Sequence, residues 1–410
     1  MRIRDVSLFE PHRPFALGSR NETHHSDRFR TTLPGDRWSH LRSSLDRPVF
    51  RALTAGESHQ REPALPGIGK RAPGRGGADG RALGQVSGAG DHERPRFNTA
   101  LTPNGYEWFY LDALSDDRRY ALVVIAMIGN VFSPWYAAAR RRGATDPLMH
   151  CTMNISLREI GGAHHWSLSE RGKHQVVRGE YSLRIGANEM EWRGDSLYLH
   201  IDDKQAPFRT PLRGQLKLTP EATCDHQIDL DTSGKHVWRP HASKARVRAV
   251  FDAPSLSFGG DGYFDSNRGT EPLESAFRGW SWSRLVLRDG SVVVAYDCEQ
   301  KNGTTIHDLR RIVGAHAMAL PTSALIEARL PRAGWGLART VRSDKNARAR
   351  IVAELLSSPF YARSIVETQI SGQPAVGVHE VVSLDRFAER WVQFLLPFRM
   401  IDARDERSES

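Results

Sequence analysis

His236-Val237-Trp238-Arg239-Pro240 and Gly262-Tyr263-Phe264-Asp265 are the two stretches from which the rest of this chain is read. In each, two chemically loaded side chains stand at i and i+2: His236 with Trp238, and Tyr263 with Asp265. Alternate residues of a β-strand share a face, so each pair projects side by side into one space. Two such strands would aim an acid, an imidazole, a phenol and an indole inward together. A carboxyl group among aromatic rings loses solvation of its charged form, which raises its pKa and keeps it a proton donor near neutrality. Aromatic faces beside it favour a cation. That chemistry suits protonation of a carbon–carbon double bond. The same alternation also packs an ordinary core, and the residues alone leave both readings open.

Outward from these stretches, the chain divides by composition. Residues 1–95 hold 16 Lys and Arg against 11 Asp and Glu, whereas the whole 410-residue chain carries +9. This arm is rich in Gly, Pro and Arg and lacks apolar periodicity, so it is expected to be disordered. Its Gly67-Ile68-Gly69-Lys70-Arg71 lacks the spacing of a phosphate loop. From Arg96 the sequence becomes β-like. Ala121–Ile128 is a continuous apolar run, too short to span a bilayer as a helix. Short strands follow at regular intervals, separated by Gly, Asn and Asp turns. Asp289-Gly290 between apolar runs predicts a hairpin. Helices are expected at 346–356 and 385–396, the second capped by Ser383, with a short helical or loop excursion at 133–142.

The expected class is mainly β: two consecutive β-rich halves, 96–235 and 236–410, with the strand spacing of an antiparallel barrel or sandwich and a few short helices.

Cys151, Cys224 and Cys298 have neither disulfide-scaffold nor zinc-ligand spacing. His164-His165 would point to opposite strand faces, and His236 has no ligand at chelating spacing. Glu271 and Glu274 read as solvated or paired with Arg268. Ser133, Ser156 and Ser167 lack a nucleophile-elbow context. No metal, cofactor or nucleic-acid partner is expected, and no secretory signal is visible at the N-terminus. These features fit a cytoplasmic protein.

Several segments resemble the carotenoid 1,2-hydratases, also called hydroxyneurosporene synthases. They are HVWRP (236–240), GYFDSNRGTEPLE (262–274), GWSWSR (279–284), RFNTALTPNGYEWFYLDALSDD (96–117), GNVFSPWYAAARRRGATDPLMHCTMNISL (129–157), SPFYARS (358–364) and VHEVVSLDRFAERWVQFLLPFRM (378–400). The resemblance implies lipocalin-like halves and cofactor-free addition of water to the terminal double bond of an acyclic carotenoid such as neurosporene or lycopene. It places the catalytic set on Asp265, His236, Tyr263 and Trp238. Trp280 and Trp282, sharing one strand face, are expected to line the same cavity and bind substrate. A hydrophobic substrate also implies peripheral contact with the inner or intracytoplasmic membrane. A lipocalin-like carrier without chemistry, or a terpenoid isomerase or cyclase, would share the lining. An inward acid argues against the carrier.

Overall fold

The computed structural model describes residues 94–224 and 226–406, so the expected disordered arm lies, but for its last two residues, outside them. Thirteen strands of eight or more residues carry the described fold. They are β1 (Tyr106–Ser115), β2 (Tyr120–Ile128), β3 (Cys151–Glu159), β4 (Ser196–Lys204), β5 (Pro211–Pro220), β6 (His236–Ala253), β7 (Ser255–Gly269), β8 (Phe277–Leu287), β9 (Val292–Gln300), β10 (Thr305–Val313), β11 (Arg350–Ser357), β12 (Tyr361–Ile370) and β13 (Gln373–Ser383). The helices are short: α1 (Pro134–Arg142), α2 (Leu273–Ala276), α3 (Leu384–Phe387) and α4 (Arg390–Leu395). No helix among the described residues is long and apolar enough to cross a membrane. The protein is mainly β and antiparallel, as the turn spacing predicts.

The first sheet runs β3-β2-β1-β7-β6-β5-β4 and is extended by short strands at both edges. The second runs β10-β9-β8-β13-β12-β11. Leu111, Val124 and Ile155 share one buried cluster with Leu183 and Met190, which lie at the far edge. The first sheet therefore curls around that core. The opposite alternates, Trp108 and Tyr110 on β1 and Val123 and Ile125 on β2, pack against Trp282, Val294 and Val378 of the second sheet. Both faces of β2 are thus buried, which explains why Ala121–Ile128 lacks polar alternation.

β6 and β7 follow the expected boundary at 235/236, yet both are hydrogen-bonded into the first sheet, between β5 and β1. The chain passes to the second sheet only in residues 270–276. The β8–β9 hairpin turns where predicted, with Gly290 at φ +80°, a conformation open to glycine.

Two expected helices come out differently. Residues 350–357 form β11, paired with β12. There Ile351, Ala353 and Leu355 turn inward while Val352 and Glu354 stay exposed, a period of two. The helix-favouring Ala, Arg, Glu and Leu content of 346–356 yields to an available sheet edge. The predicted helix 385–396 is two helices, α3 and α4, split where Glu389 takes an extended conformation. Ser383 does cap the first, its hydroxyl accepting from the Arg386 amide at 3.3 Å.

Candidate active site

Asp265 sits on β7 between Pro240 of β6 and Tyr110 of β1. Register shifts in β6 between Pro240 and Ala245 mark a bulge beside it, a common device for re-aiming side chains. The carboxyl group is buried in the layer between the sheets. Its Oδ2 accepts two hydrogen bonds, from Trp238 Nε1 at 2.8 Å and from the Tyr263 hydroxyl at 2.9 Å. Tyr263 reaches it from i−2 on the same face, and Trp238 diagonally from the neighbouring strand. Oδ1 is buried with no hydrogen-bond partner. With two donors on Oδ2, Oδ1 is the oxygen left to carry a proton.

Burial pushes the Asp265 pKa up to about 8. The two hydrogen bonds to Oδ2 pull it down, while the carboxylates of Glu380 and Asp112 push it further up. Glu380, on β13, accepts from Arg363 Nε at 2.7 Å and from the Tyr110 hydroxyl at 2.8 Å on one oxygen. Asp112 pairs with the Arg284 guanidinium across the two sheets. Each carboxylate thus carries its own arginine, and Asp265 alone of the three is held by neutral donors.

Aromatic rings enclose this group. Trp282 lies edge-on to Tyr110 at 5.6 Å and tilted to Tyr263 at 5.5 Å. Tyr296 is edge-on to Trp238 at 5.4 Å and tilted to Trp280 at 6.4 Å. Such pairs contribute about 0.5–1.5 kcal/mol each beyond their buried area.

The structure therefore joins three of the four expected catalytic residues, Asp265, Tyr263 and Trp238, through hydrogen bonds. Trp280 and Trp282 belong to the same apolar layer. His236 shares their strand face but pairs with Gly269, four residues along β7 from Asp265, about 13 Å of strand. Its Nδ1 is hydrogen-bonded to the Tyr106 hydroxyl at 2.9 Å. Burial lowers its pKa, against the nearby Asp231 and Glu271. A Cβ at position 269 would lie 2.3 Å from the Tyr106 ring and 2.7 Å from His236 Nδ1, so glycine is what admits the pair.

Ligand-type atoms of Asp231, His236 and Glu271 lie within 4.8 Å of one another, as do those of Asp297, His307 and Glu327. Either trio could hold a metal ion by type. Both already face a protein cation: Lys235 on Glu271 at 2.7 Å, and Arg342 on Asp297 at 2.5 Å. Sequence spacing gave no sign that carboxylates would gather at His236. Glu271 is thus paired with Lys235 and Glu274 with Arg140, at 2.5 Å, rather than either with Arg268.

A cavity of about 1050 Å³ lies on the other side of β6 and β7, lined by Val237, Arg239, His241, Ser266 and Arg268. These are the alternates of Trp238 and Asp265, so it is separate from the acid.

Glu380, Arg363, Asp112 and Arg284 were not singled out from sequence. Tyr106, Trp108, Tyr110 and Asp112 do stand at i, i+2, i+4 and i+6 on β1, the same signal that marked β6 and β7. Arg363 and Glu380 carry no local pattern; strand register alone brings them in.

A carboxyl group whose pKa is raised by burial, set in an aromatic layer between two antiparallel sheets, is able to hold a proton beside an apolar molecule. The carotenoid hydratase CrtC family matches residues 124–409, and the chain belongs to it. It is 40% identical to the acyclic carotenoid 1,2-hydratase of Thiocapsa roseopersicina, over 97% of this chain and 99% of that one. It is 35% identical to the enzyme of the same name from Rubrivivax gelatinosus, over 90% and 91%. Among solved structures, kievitone hydratase from Nectria haematococca overlays with a TM-score of 0.45 at 10% identity, covering 71% of this chain and 98% of that one.

Proposed function

We propose that this chain is a hydro-lyase that adds water across the terminal C1–C2 double bond of acyclic carotenoids, neurosporene and lycopene among them, with Asp265 as the proton donor. The observation that carries the mechanism is the asymmetry of Asp265: one oxygen saturated by Trp238 and Tyr263, the other buried and unpartnered, in a group whose pKa burial pushes up to about 8.

In this reading Oδ1 gives its proton to the less substituted alkene carbon. The π pair forms the new C–H bond and leaves a tertiary cation on C1. The developing charge is favoured by the ring faces of Trp282 and Tyr296, and by Glu380 and Asp112. Water attacks C1 and loses a proton, and Asp265 regains one, so the cycle closes as substrate plus water. Trp238 and Tyr263 hold the leaving carboxylate through Oδ2 as its charge appears. His236, its pKa lowered by burial, is hydrogen-bonded to Tyr106 about 13 Å along the strand from Asp265, so neither is assigned the attacking water. Trp280 and Trp282 line the polyene. A substrate of this kind resides in lipid, so the enzyme works peripherally on the cytoplasmic face of a membrane.

The test is incubation of purified full-length protein with lycopene or neurosporene in water enriched in ¹⁸O, followed by mass analysis. One labelled hydroxyl per hydrated end is expected. Unlabelled isomer or cyclised product would replace hydration with isomerase or cyclase chemistry, and unchanged substrate would favour a carrier.

A further inference from the structure

The short helix α4 and the 3₁₀ turn after it (Leu396–Arg399) carry an apolar stripe facing away from the core. Trp391, Phe394 and Phe398 stand at i, i+3 and i+7 and are 44%, 69% and 62% exposed, the spacing of one helical face. Trp335, 42% exposed, lies stacked on Trp391 with ring centroids 6.2 Å apart. Phe394 and Phe398 meet edge to face at 5.6 Å. The loop is tied down: Arg386 Nη1 donates to the Trp335 carbonyl at 2.7 Å and to that of Pro359 at 3.1 Å. Large aromatic side chains rarely crowd together in water without a partner.

Two further observations say what the partner is. Arg390 and Arg399 are exposed at the two ends of the stripe, Arg399 with its guanidinium over the Trp166 ring at 4.7 Å. The nearby acid Asp385 is already paired by Lys301 and Arg278 and exposed Glu389 accepts from Trp391 Nε1, so the two arginines outnumber the one remaining carboxylate at the border. The inner side of the same segment, Val392 with Leu396, packs into the apolar layer that contains Tyr263, Trp238 and Trp282. The segment that bears the outer stripe is therefore rooted in the same apolar layer as the site.

We propose that Trp335, Trp391, Phe394 and Phe398 form the surface by which the protein seats on a lipid bilayer, with Arg390 and Arg399 at the level of anionic headgroups. Aromatic residues with a basic border match the interfacial zone, where rings lie among acyl chains and cations meet phosphates. Seating here brings the apolar layer around Asp265 against the phase that dissolves the substrate. The inference rests on the hydratase reading for its purpose, but not for its geometry.

The experiment uses the full chain and vesicles of phosphatidylcholine with or without phosphatidylglycerol. Wild type should float with the anionic vesicles. Phe394→Ser/Phe398→Ser should lose about tenfold or more of that partitioning, since binding scales with apolar area inserted. Hydration of lycopene held in the vesicles should fall alongside, while hydration in detergent micelles is retained. Quenching of native tryptophan fluorescence by brominated lipid should be present in wild type and reduced in Trp335→Phe/Trp391→Phe, which tests the surface without a polar substitution.

Equal flotation of wild type and the serine variant, or unquenched wild type, would overturn the proposal. So would wild type that sediments as a dimer and a variant that sediments as a monomer, for the stripe would then join two copies. Wild type that floats yet hydrates nothing in micelles or vesicles would leave the surface standing and remove the hydratase reading.

Discussion

Replacing Asp265 by Asn keeps the shape of the side chain and removes its transferable proton. The raised pKa sets the size of the effect. Moving from 3.8 to about 8 changes the protonated-to-charged ratio at a given pH by about 10⁴-fold. A wild-type enzyme at pH 7 is thus mostly in its donor form, whereas an ordinary aspartate would be almost wholly ionised. General acids contribute about 10²–10⁴-fold, and an unactivated alkene has no substitute donor here, so the loss should reach at least the top of that range.

The same shift predicts a gain in stability. A carboxyl whose folded pKa lies above its unfolded value weakens the fold as pH rises from the unfolded pKa towards the folded one. At pH 7 the cost is on the order of 4 kcal/mol. Asn has no such titration, but leaves a buried amide N–H₂ without a partner, at about 1–3 kcal/mol. Asp265→Asn should therefore be inactive and more stable than wild type at pH 7 by about 1–3 kcal/mol. The advantage should vanish between about pH 5 and 6, become a disadvantage near pH 4, and grow to about pH 8. The assay is paired urea unfolding of wild type and variant from pH 4 to 9, read as the difference so that other groups cancel, beside hydration of detergent-solubilised lycopene. Activity within tenfold of wild type, or a stability difference independent of pH, would refute the reasoning.

The remaining expectations concern the neighbours of that carboxyl group. Wild-type kcat should fall tenfold per pH unit above an apparent pKa of about 8. Among the groups facing Asp265 (Trp238, Tyr263, Tyr110, Asp112, Arg284, Tyr296 and Glu380), Glu380→Gln removes a charge that raises its pKa, so the alkaline limb should move to lower pH; an unmoved limb would put Glu380 out of electrostatic reach. Tyr263→Phe and Trp238→Phe each remove a donor to Oδ2, so the limb should move to higher pH while kcat falls about tenfold or more; a shift to lower pH would contradict the geometry. His236→Ala and Tyr106→Phe should lower kcat by less than the roughly 10²-fold of a general acid or base and leave that limb in place, because neither touches Asp265. Glu271→Gln should alter activity by less than about threefold, its pair with Lys235 being a partly exposed one; a dead variant would make the His236 cluster the acid–base centre.

Alternation along single strands is a local property, and it was legible. His236 with Trp238, and Tyr263 with Asp265, lie on one strand face each because the chain permits little else with a two-residue repeat. The mainly-β class, the Asp289-Gly290 turn and the Ser383 cap follow from equally short-range rules. What no local rule contains is which strands become neighbours. β6 and β7 read as the opening of a second half, yet the open edge of β1 and the length of their hairpin draw them into the first sheet. Residues 350–357 prefer a helix by composition but lie beside the unpaired edge of β12. Glu380 and Arg363 are unremarkable in sequence and become part of the acid's surroundings only when the second sheet is laid on the first. His236 was expected beside Asp265, and strand register instead sets it beside Tyr106. The order of residues thus marked Asp265 as the candidate proton donor. Its protonation state was decided by burial between two sheets, because desolvation depends on everything packed around a group and not on what adjoins it in the chain.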